Sequence, residues 1–370
     1  MTKRITQHVE TVVIGGGQAG LAMGYYLAQH DHSFVILDAG SRVGNAWRNR
    51  WDSLRLFIPA GLSSLPGMPF PAANTYFPTK DEMADYLEAY SDQFDLPVQL
   101  DTTVESLIRN GDRYVLDAGT QRIAADHVVV ATGPYHHPNV PRFAPGLAPS
   151  ITQLHSSEYQ SPDQLPKGDV LVVGAGNSGA EIAIELAADR CVWLSGQNTG
   201  HLPQWDSDDL PRWLFWFDGC LFEWLFSDLL TVDTWVGRKL KARGKDGGDP
   251  LIRLTPEDLQ QAGVKRVPRV KGVVDGTPRL NNGRRLDVAA VIWATGFRQD
   301  FSWIEVPGLS RDDDGSPIHD RGVVEDEPGL YFLGLPFQRS LLSATLVGVG
   351  ADARYLATQI QTRTDADETD

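Results

Sequence analysis

Short unbroken apolar runs, each closed by glycine, recur along the chain. Val12-Val13-Ile14 runs into Gly15-Gly16-Gly17-Gln18-Ala19-Gly20, and Val170-Leu171-Val172-Val173 runs into Gly174-Ala175-Gly176-Asn177-Ser178-Gly179. An apolar run this short, bounded by turn residues, predicts a buried strand of a parallel sheet. Behind each glycine cluster the pattern becomes helical, over Leu21 to Gln29 and Ala180 to Ala188. Further buried strands are expected at Ser33 to Leu37, Val128 to Val130, Val192 to Leu194 and Val291 to Trp293. Two of them end alike, in Ala131-Thr132-Gly133 and Ala294-Thr295-Gly296. Ala131 follows Gly15 by 116 residues and Ala294 follows Gly174 by 120, so one strand–turn–helix–strand grammar is written twice. Val264 to Leu286 predicts a strand and a hairpin, with turns at Asp275-Gly276 and Asn282-Gly283.

The spacing G-x-G-x-x-G between a strand and a helix carries chemistry. The first glycine makes the tight turn, the second lets a diphosphate approach the backbone, and the third lets helix and strand pack. Unpaired N–H groups at the helix start then face the anion. Two such turns predict two dinucleotide sites. The residue closing the second strand of each unit separates them. Asp38 stands 23 positions after Gly15, where a carboxylate accepts from ribose hydroxyls and repels a 2′-phosphate, so FAD or NAD fits there and NADPH does not. The same offset from Gly174 falls on Gln197, after Ser195-Gly196. No acid stands there to repel a 2′-phosphate, and no arginine follows to grip one. The reading is FAD in the first site and NADPH or NADH in the second, with shallow discrimination between the two.

Composition removes other classes. The chain has 370 residues, 42% of them hydrophobic, and a formal charge of −15, so it has no overall electrostatic footprint for nucleic acid or anionic lipid. Cys191 and Cys220 form neither a C-x-x-C nor a metal-ligand spacing, which argues against a disulfide reductase and for a reduced, cytoplasmic chain. Thr2-Lys3-Arg4 leads straight into the first strand, as expected of a chain with no secretory leader. The most apolar stretch, Trp213 to Leu230, is broken by Asp218, Glu223 and Asp228 and does not read as a membrane span. From Trp205 to Trp235 lie five of the ten tryptophans; Trp213, Trp216, Phe217, Cys220 and Trp224 recur at helical spacing. That face reads first as packed core, then as a substrate lid or a homodimer or membrane-surface contact. Arg238 to Gly248 reads as a loop.

With both glycine turns and both Ala-Thr-Gly strands in place, the chain resembles the two-dinucleotide flavoproteins, and among them the short bacterial flavin-containing monooxygenases. Arg42-Val43-Gly44-Asn45-Ala46-Trp47 is similar to the family's R-x-G-G-x-W flavin contact, with Asn45 in place of its second glycine. Trp51 to Leu56 and Leu65-Pro66-Gly67 continue the bacterial pattern. His155-Ser156-Ser157-Glu158-Tyr159 resembles the end of F-x-G-x-x-x-H-S-x-x-Y, with Pro149 and Ile151 at the aromatic and glycine positions. The Baeyer–Villiger branch usually ends this motif in tryptophan, so Tyr159 tilts against ketone oxygenation, which stays an alternative reading. His155 is read either as a linker histidine bonded to backbone or as a hinge.

The resemblance implies an α/β protein of two Rossmann-like domains, the FAD domain discontinuous and the NAD(P)H domain inserted in it. The expected boundaries are 1–162 and 297–370 for FAD and 163–296 for NAD(P)H, with the aromatic insertion at about 203–250. It implies FAD contacts from Gly15, Gly17, Gln18, Ala19, Gly20, Asp38, Ala39, Gly44, Asn45, Trp47, Leu54, Val104, Ala131, Thr132 and Gly133. Ser343, Ala344 and Leu346 would add a closing helix whose positive end faces the flavin. Nucleotide contacts would come from Gly174, Gly176, Asn177, Ser178, Gly179, Ser195, Gly196, Gln197, Ala294, Thr295 and Gly296. The implied reaction reduces the flavin with NAD(P)H, forms a C4a-peroxide with O2, and passes one oxygen to a small sulfur or nitrogen nucleophile. Relatives carry an asparagine over the flavin; here Phe57 takes that place, and Asn45 is the candidate substitute. Phe57 therefore motivates a second reading, a flavin reductase or oxidase that inserts no oxygen. A nucleotide-binding sensor is the third.

Overall fold

The computed structural model describes residues 7–201, 250–313 and 315–367. The aromatic face of Trp205 to Trp235 and the Arg238 to Gly248 loop lie outside them. In chain order, β1 (Gln7–Ile14), α1 (Gln18–Gln29) and β2 (Phe34–Leu37) lead to α2 (Asn45–Arg48), α3 (Lys80–Gln93) and β3 (Val98–Gln99). β4 (Val104–Asn110), β5 (Arg113–Ala118) and β6 (Gln121–Val130) form an antiparallel meander. β7 (His137–Pro138) and β8 (Thr152–His155) lead to β9 (Val170–Val173), α4 (Asn177–Ala187) and β10 (Val192–Ser195). Then come α5 (Pro256–Gln261), β11 (Lys265–Val267), β12 (Val270–Val274), β13 (Thr277–Leu280) and β14 (Ala290–Trp293). The chain returns through β15 (Phe297–Arg298) and β16 (Ile304–Glu305) to β17 (Leu330–Phe332) and α6 (Leu346–Asp367).

Two sheets result. The first runs β16-β4-β5-β6-β1-β2-β3, with β17 also on β6. β6 joins its two parts: Gln121 to Ala125 pairs antiparallel with β5, and Val128 to Val130 pairs parallel with β17. Its ten residues, at about 3.3 Å each, are long enough for both. The second sheet, β11-β10-β9-β14-β8, is parallel throughout. It takes in β8, so this unit reaches back beyond the boundary expected at 162/163.

Both sheets are covered on both faces, which explains the unbroken apolar runs. Val13 enters one core cluster while Val12 and Ile14 enter another, and Val170 and Val172 face one cluster while Leu171 faces another. Alternate side chains of a strand point to opposite faces, so a strand sandwiched between layers needs apolar residues at every position. α6 packs on α1, burying Ala353, Leu356, Ala357 and Ile360 in the first unit's core. The hairpin turn holds Asp275 and Gly276 at φ of 48° and 74°, the left-handed pair that Asp-Gly predicts.

The units are tied together by more than the two crossings. Trp51 and Leu54 are buried among Tyr159, Val170 and Leu194 of the second unit's core. The Asp52 amide donates to the Gln160 carbonyl at 2.8 Å. Leu54, expected to touch FAD, packs between the units, its apolar side chain 6% exposed in that core.

Candidate functional site

The two glycine turns have nearly the same geometry. Gly15 and Gly174 sit at φ of 109° and 110°, and a Cβ on either would lie 2.6 or 2.0 Å from the carbonyl oxygen of Ala131 or Ala294. A Cβ on Gly20 or Gly179 would lie 1.8 or 1.9 Å from the carbonyl oxygen of Gly15 or Gly174. The first and third glycines are therefore forced by backbone packed against backbone. Gly17 and Gly176 differ in kind: each has ordinary extended dihedrals, and a Cβ there would meet nothing within 4 Å. Protein packing gives no reason for glycine at these two positions, whereas a diphosphate lying on the helix start does. Neither α1 nor α4 has a side-chain cap or an acid in its first turn, so the N–H groups and positive end of each helix are open to an anion. Both turns fit a dinucleotide.

In the first cradle Asp38 closes β2. Its Oδ2 accepts from the Gly16 amide at 2.6 Å and its Oδ1 from the Gly40 amide at 2.7 Å. The carboxylate thus clamps the turn to the strand end and keeps lone pairs for a ribose. Ala39 is exposed between them. Gly44 caps α2 at φ 79°, pressed on Ala84, and the Trp47 indole donates to Gln18 Oε1 at 3.3 Å. Asn45 lies against Gly40. That sets it beside the Asp38 turn. Phe57 is half-buried outside the packed cores. Val104 opens β4 and packs on the sheet's second core.

The second cradle engages two of the expected side chains and brings in two arginines. Ser195 is 1% exposed and its hydroxyl is engaged: it donates to the Pro268 carbonyl and accepts from the Val270 amide, both at 3.0 Å. Both side-chain ends of Asn177 are taken as well, Nδ2 donating to the Pro250 carbonyl at 3.1 Å and Oδ1 accepting from the Ile252 amide at 2.9 Å. That leaves only its backbone for a ligand. Ser178 stays half-buried at the helix start. Arginines do reach the strand end: Arg269 Nη2 donates to Gln197 Oε1 at 2.8 Å and Arg266 Nη2 to the Gly196 carbonyl at 3.2 Å.

The two Ala-Thr-Gly turns meet. β7 pairs with β15 just beyond them, Thr295 Oγ1 donates to the Asn139 carbonyl at 2.5 Å, and Asn139 Nδ2 donates to the Thr295 carbonyl at 3.2 Å. The Tyr135 and Phe297 rings lie 5.2 Å apart, with the Arg50 guanidinium over both. Burial lowers the pKa of Arg50, yet no carboxylate among the described residues pairs with it. Thr132 Oγ1 bonds His136 at 3.1 Å. His155, 2% exposed, accepts the Ser157 amide at Nδ1, so its Nε2–H donates to the Gly296 carbonyl at 3.0 Å. Burial lowers its pKa and keeps this neutral tautomer. Tyr159 donates to Glu185 of α4 at 2.7 Å. The His…Tyr motif is thus a strap from the crossing segment to the second unit, held by backbone as the linker reading expects.

At the C-terminal end part of the expected contact set is engaged within the protein. Ser343 is fully buried, and its Oγ accepts from the amides of Arg339 and Ser340 at 3.0 and 2.9 Å. Asp352, in turn, pairs with Arg339 at 2.7 Å. Ser343 therefore holds the loop before α6, and Leu346 is buried in the core below it. Ala344 is half-exposed, the member of the three left accessible. The signal missed in the sequence is that a serine inside a tight loop satisfies neighbouring amides first.

Comparison with known proteins agrees with this geometry. Residues 12–200 match the pyridine nucleotide-disulphide oxidoreductase family model. The chain belongs to that family, and within it to the flavin-dependent monooxygenases. An uncharacterized CzcO-like oxidoreductase of Geobacillus kaustophilus is 43% identical over 96% of this chain and 99% of its own. The flavin-containing monooxygenase of Stenotrophomonas maltophilia superposes with a TM-score of 0.77, at 30% identity, over 97% of this chain and all of that one. The indole-3-pyruvate monooxygenase YUCCA1 of rice is 29% identical over 94% of this chain and 90% of its own. The matching family is named for a pyridine nucleotide and the Stenotrophomonas relative for a flavin, the classes of group that the two cradles fit. No described helix is long and apolar enough to cross a membrane.

Proposed function

We propose that the chain spends NAD(P)H and O2 to place one oxygen atom on the sulfur or nitrogen of a small nucleophile, the other atom leaving as water. The observation that carries this is the junction: two matching cradles whose Ala-Thr-Gly turns meet within one ring contact, Tyr135 on Phe297. Bound there, FAD supplies hydride acceptance and oxygen activation. The chain's own part is positional. Gly15 to Gly20 with Asp38 hold one dinucleotide and Gly174 to Gly179 the other, while the His155 and Tyr159 strap and the buried Trp51 and Leu54 fix one unit against its partner. A preset geometry of this kind supplies rate by orientation and by keeping water from the reacting centre. Cys191 lies just before β10, at the amino end of its strand and away from the turns, which disfavours a dithiol partner for the flavin.

The test is product balance. With NADPH, O2 and a simple thioether, the FAD-loaded protein should form one sulfoxide for each NADPH consumed. Hydrogen peroxide in place of sulfoxide would refute oxygen insertion and leave the reductase or oxidase that Phe57 motivates.

A further inference from the structure

Arg50 is a cation without an anion where the two units meet. Its segment is anchored on both sides. The Trp47 indole reaches Gln18 at the start of α1, and Trp51 is 3% exposed within the second unit's core. Between them the Arg50 amide donates to the Trp47 carbonyl at 3.0 Å. The guanidinium carbon then lies 5.6 Å from the centre of the Tyr135 ring and 5.7 Å from that of Phe297, one ring from each crossing segment. His155 stands edge-on to Phe297 at 5.0 Å, with its Nε2–H spent on the Gly296 carbonyl.

The ring contacts leave its hydrogen-bonding capacity unused. Arg42 of the same segment pairs with Glu88, and Arg48 pairs with Asp85 and Glu88. Half-buried Arg50 makes neither an ion pair nor a side-chain hydrogen bond among the described residues. Carboxylates on the neighbouring segments are engaged elsewhere, Asp52 with Lys80, Glu158 with the His155 amide and Asp300 with His137. A guanidinium partly withdrawn from water with its donors idle is costly, and aromatic faces offset only part of that. Room for a ligand exists beside it. A Cβ on Gly133 or Gly296 would meet no protein atom within 4 Å, and Tyr135 is 63% exposed. The diphosphates of two dinucleotides have the helix starts at Gly17 and Gly176, so neither requires Arg50. The planar fork of a guanidinium matches the two oxygens of a carboxylate, and the flanking rings suit the apolar body that carries it.

We propose that Arg50 is the substrate's carboxylate anchor, so that the nucleophile oxidised at this junction is one that carries a carboxylate. The proposal rests on the reading of the junction as the place of oxygen transfer, and the test separates the two. FAD-loaded protein is titrated calorimetrically with (phenylthio)acetate and with (phenylthio)acetamide, probes that share thioether and ring and differ in charge. Each titration is repeated with saturating NADP+, and sulfoxide is measured for each probe with NADPH and O2. The expected result is tighter binding of the acid by roughly ten- to a hundred-fold, the equivalent of one or more charge-assisted hydrogen bonds. That preference should shrink with added salt. Arg50→Gln should bring the acid's Kd and KM to those of the amide, and Arg50→Lys should keep part of the preference. Flavin content and melting temperature report that the variants are folded, and equal affinities in the wild type decide without them. Equal affinity for the two probes, binding of neither, or a preference that persists in Arg50→Gln would overturn the proposal. A preference abolished by NADP+ would also overturn it, assigning Arg50 to a nucleotide phosphate. Preferential binding of the acid with no sulfoxide from either probe would instead refute oxygen transfer and leave Arg50 as an anion site.

Discussion

Replacing Gly176 by alanine should separate folding from nucleotide binding. At this position φ is −77° and ψ −171°, a conformation alanine adopts freely, and the added Cβ meets no protein atom within 4 Å. Two small effects on stability oppose one another. Alanine is a worse helix cap than glycine by about 0.5–1 kcal/mol, and it restricts the unfolded chain by about 0.4–1 kcal/mol in the other direction. The melting temperature should therefore move by no more than about 4 °C. The methyl group does occupy the space above the first N–H groups of α4. Losing two charge-assisted hydrogen bonds there costs roughly 3–6 kcal/mol, a weakening of about 10²- to 10⁴-fold. The assay is anaerobic stopped-flow loss of flavin absorbance against NADPH concentration, with a thermal melt on the same sample. Gly179→Ala is the contrast: its Cβ would lie 1.9 Å from the Gly174 carbonyl oxygen, so the turn itself must fail and the melt must drop. A Gly176→Ala protein with unaltered NADPH dependence would refute the argument that this glycine serves a ligand.

Gly17→Ala should give a folded protein that purifies without yellow colour and takes up added FAD weakly; full FAD occupancy would contradict the first cradle. Gln197→Glu should pair with Arg269 and repel a 2′-phosphate, lowering the ratio of NADPH to NADH efficiency by about tenfold or more; steady-state kinetics with both nucleotides reads it. Burial pushes the Glu181 carboxyl up to about 7 from 4.5, against the pull of Arg253. The folded state then holds a proton that the unfolded state has released between those values, so this residue's contribution falls as pH rises through that window and stays low above it. Glu181→Gln should raise the melting temperature at pH 8 and change it little below pH 4.5; a variant equally destabilised at both would contradict the sign.

The parts of the site that could be read from the sequence are those whose cause is local. A glycine pressed on a carbonyl oxygen leaves its mark within a six-residue turn, so Gly15 to Gly20 and Gly174 to Gly179 were recognisable, as were the Ala-Thr-Gly strands they pack against. Asp38 belongs to the same local grammar. Arg266 and Arg269 do not: they reach Gly196 and Gln197 from about 70 residues downstream, and only the β10–β11 register brings them there. Ser195, Asn177 and Ser343 show the converse, since each stands at a motif position but spends its side chain on nearby backbone. The packing of Leu54 against the other unit is likewise something that no local pattern reveals. The β4–β5 meander passed unread although Asn110-Gly111 and Gly119, at φ of 64° and 58°, punctuate it, because β4 alternates apolar positions with partly exposed polar ones and shows no unbroken apolar run.

Central to all of this is one chain that seats two dinucleotides and passes electrons between them. Anaerobic titration of the FAD-loaded protein with NADPH tests it most directly. The yellow absorbance should bleach with one equivalent of NADPH per flavin and return when air is admitted. Flavin that stays oxidised with excess NADPH present would contradict the account.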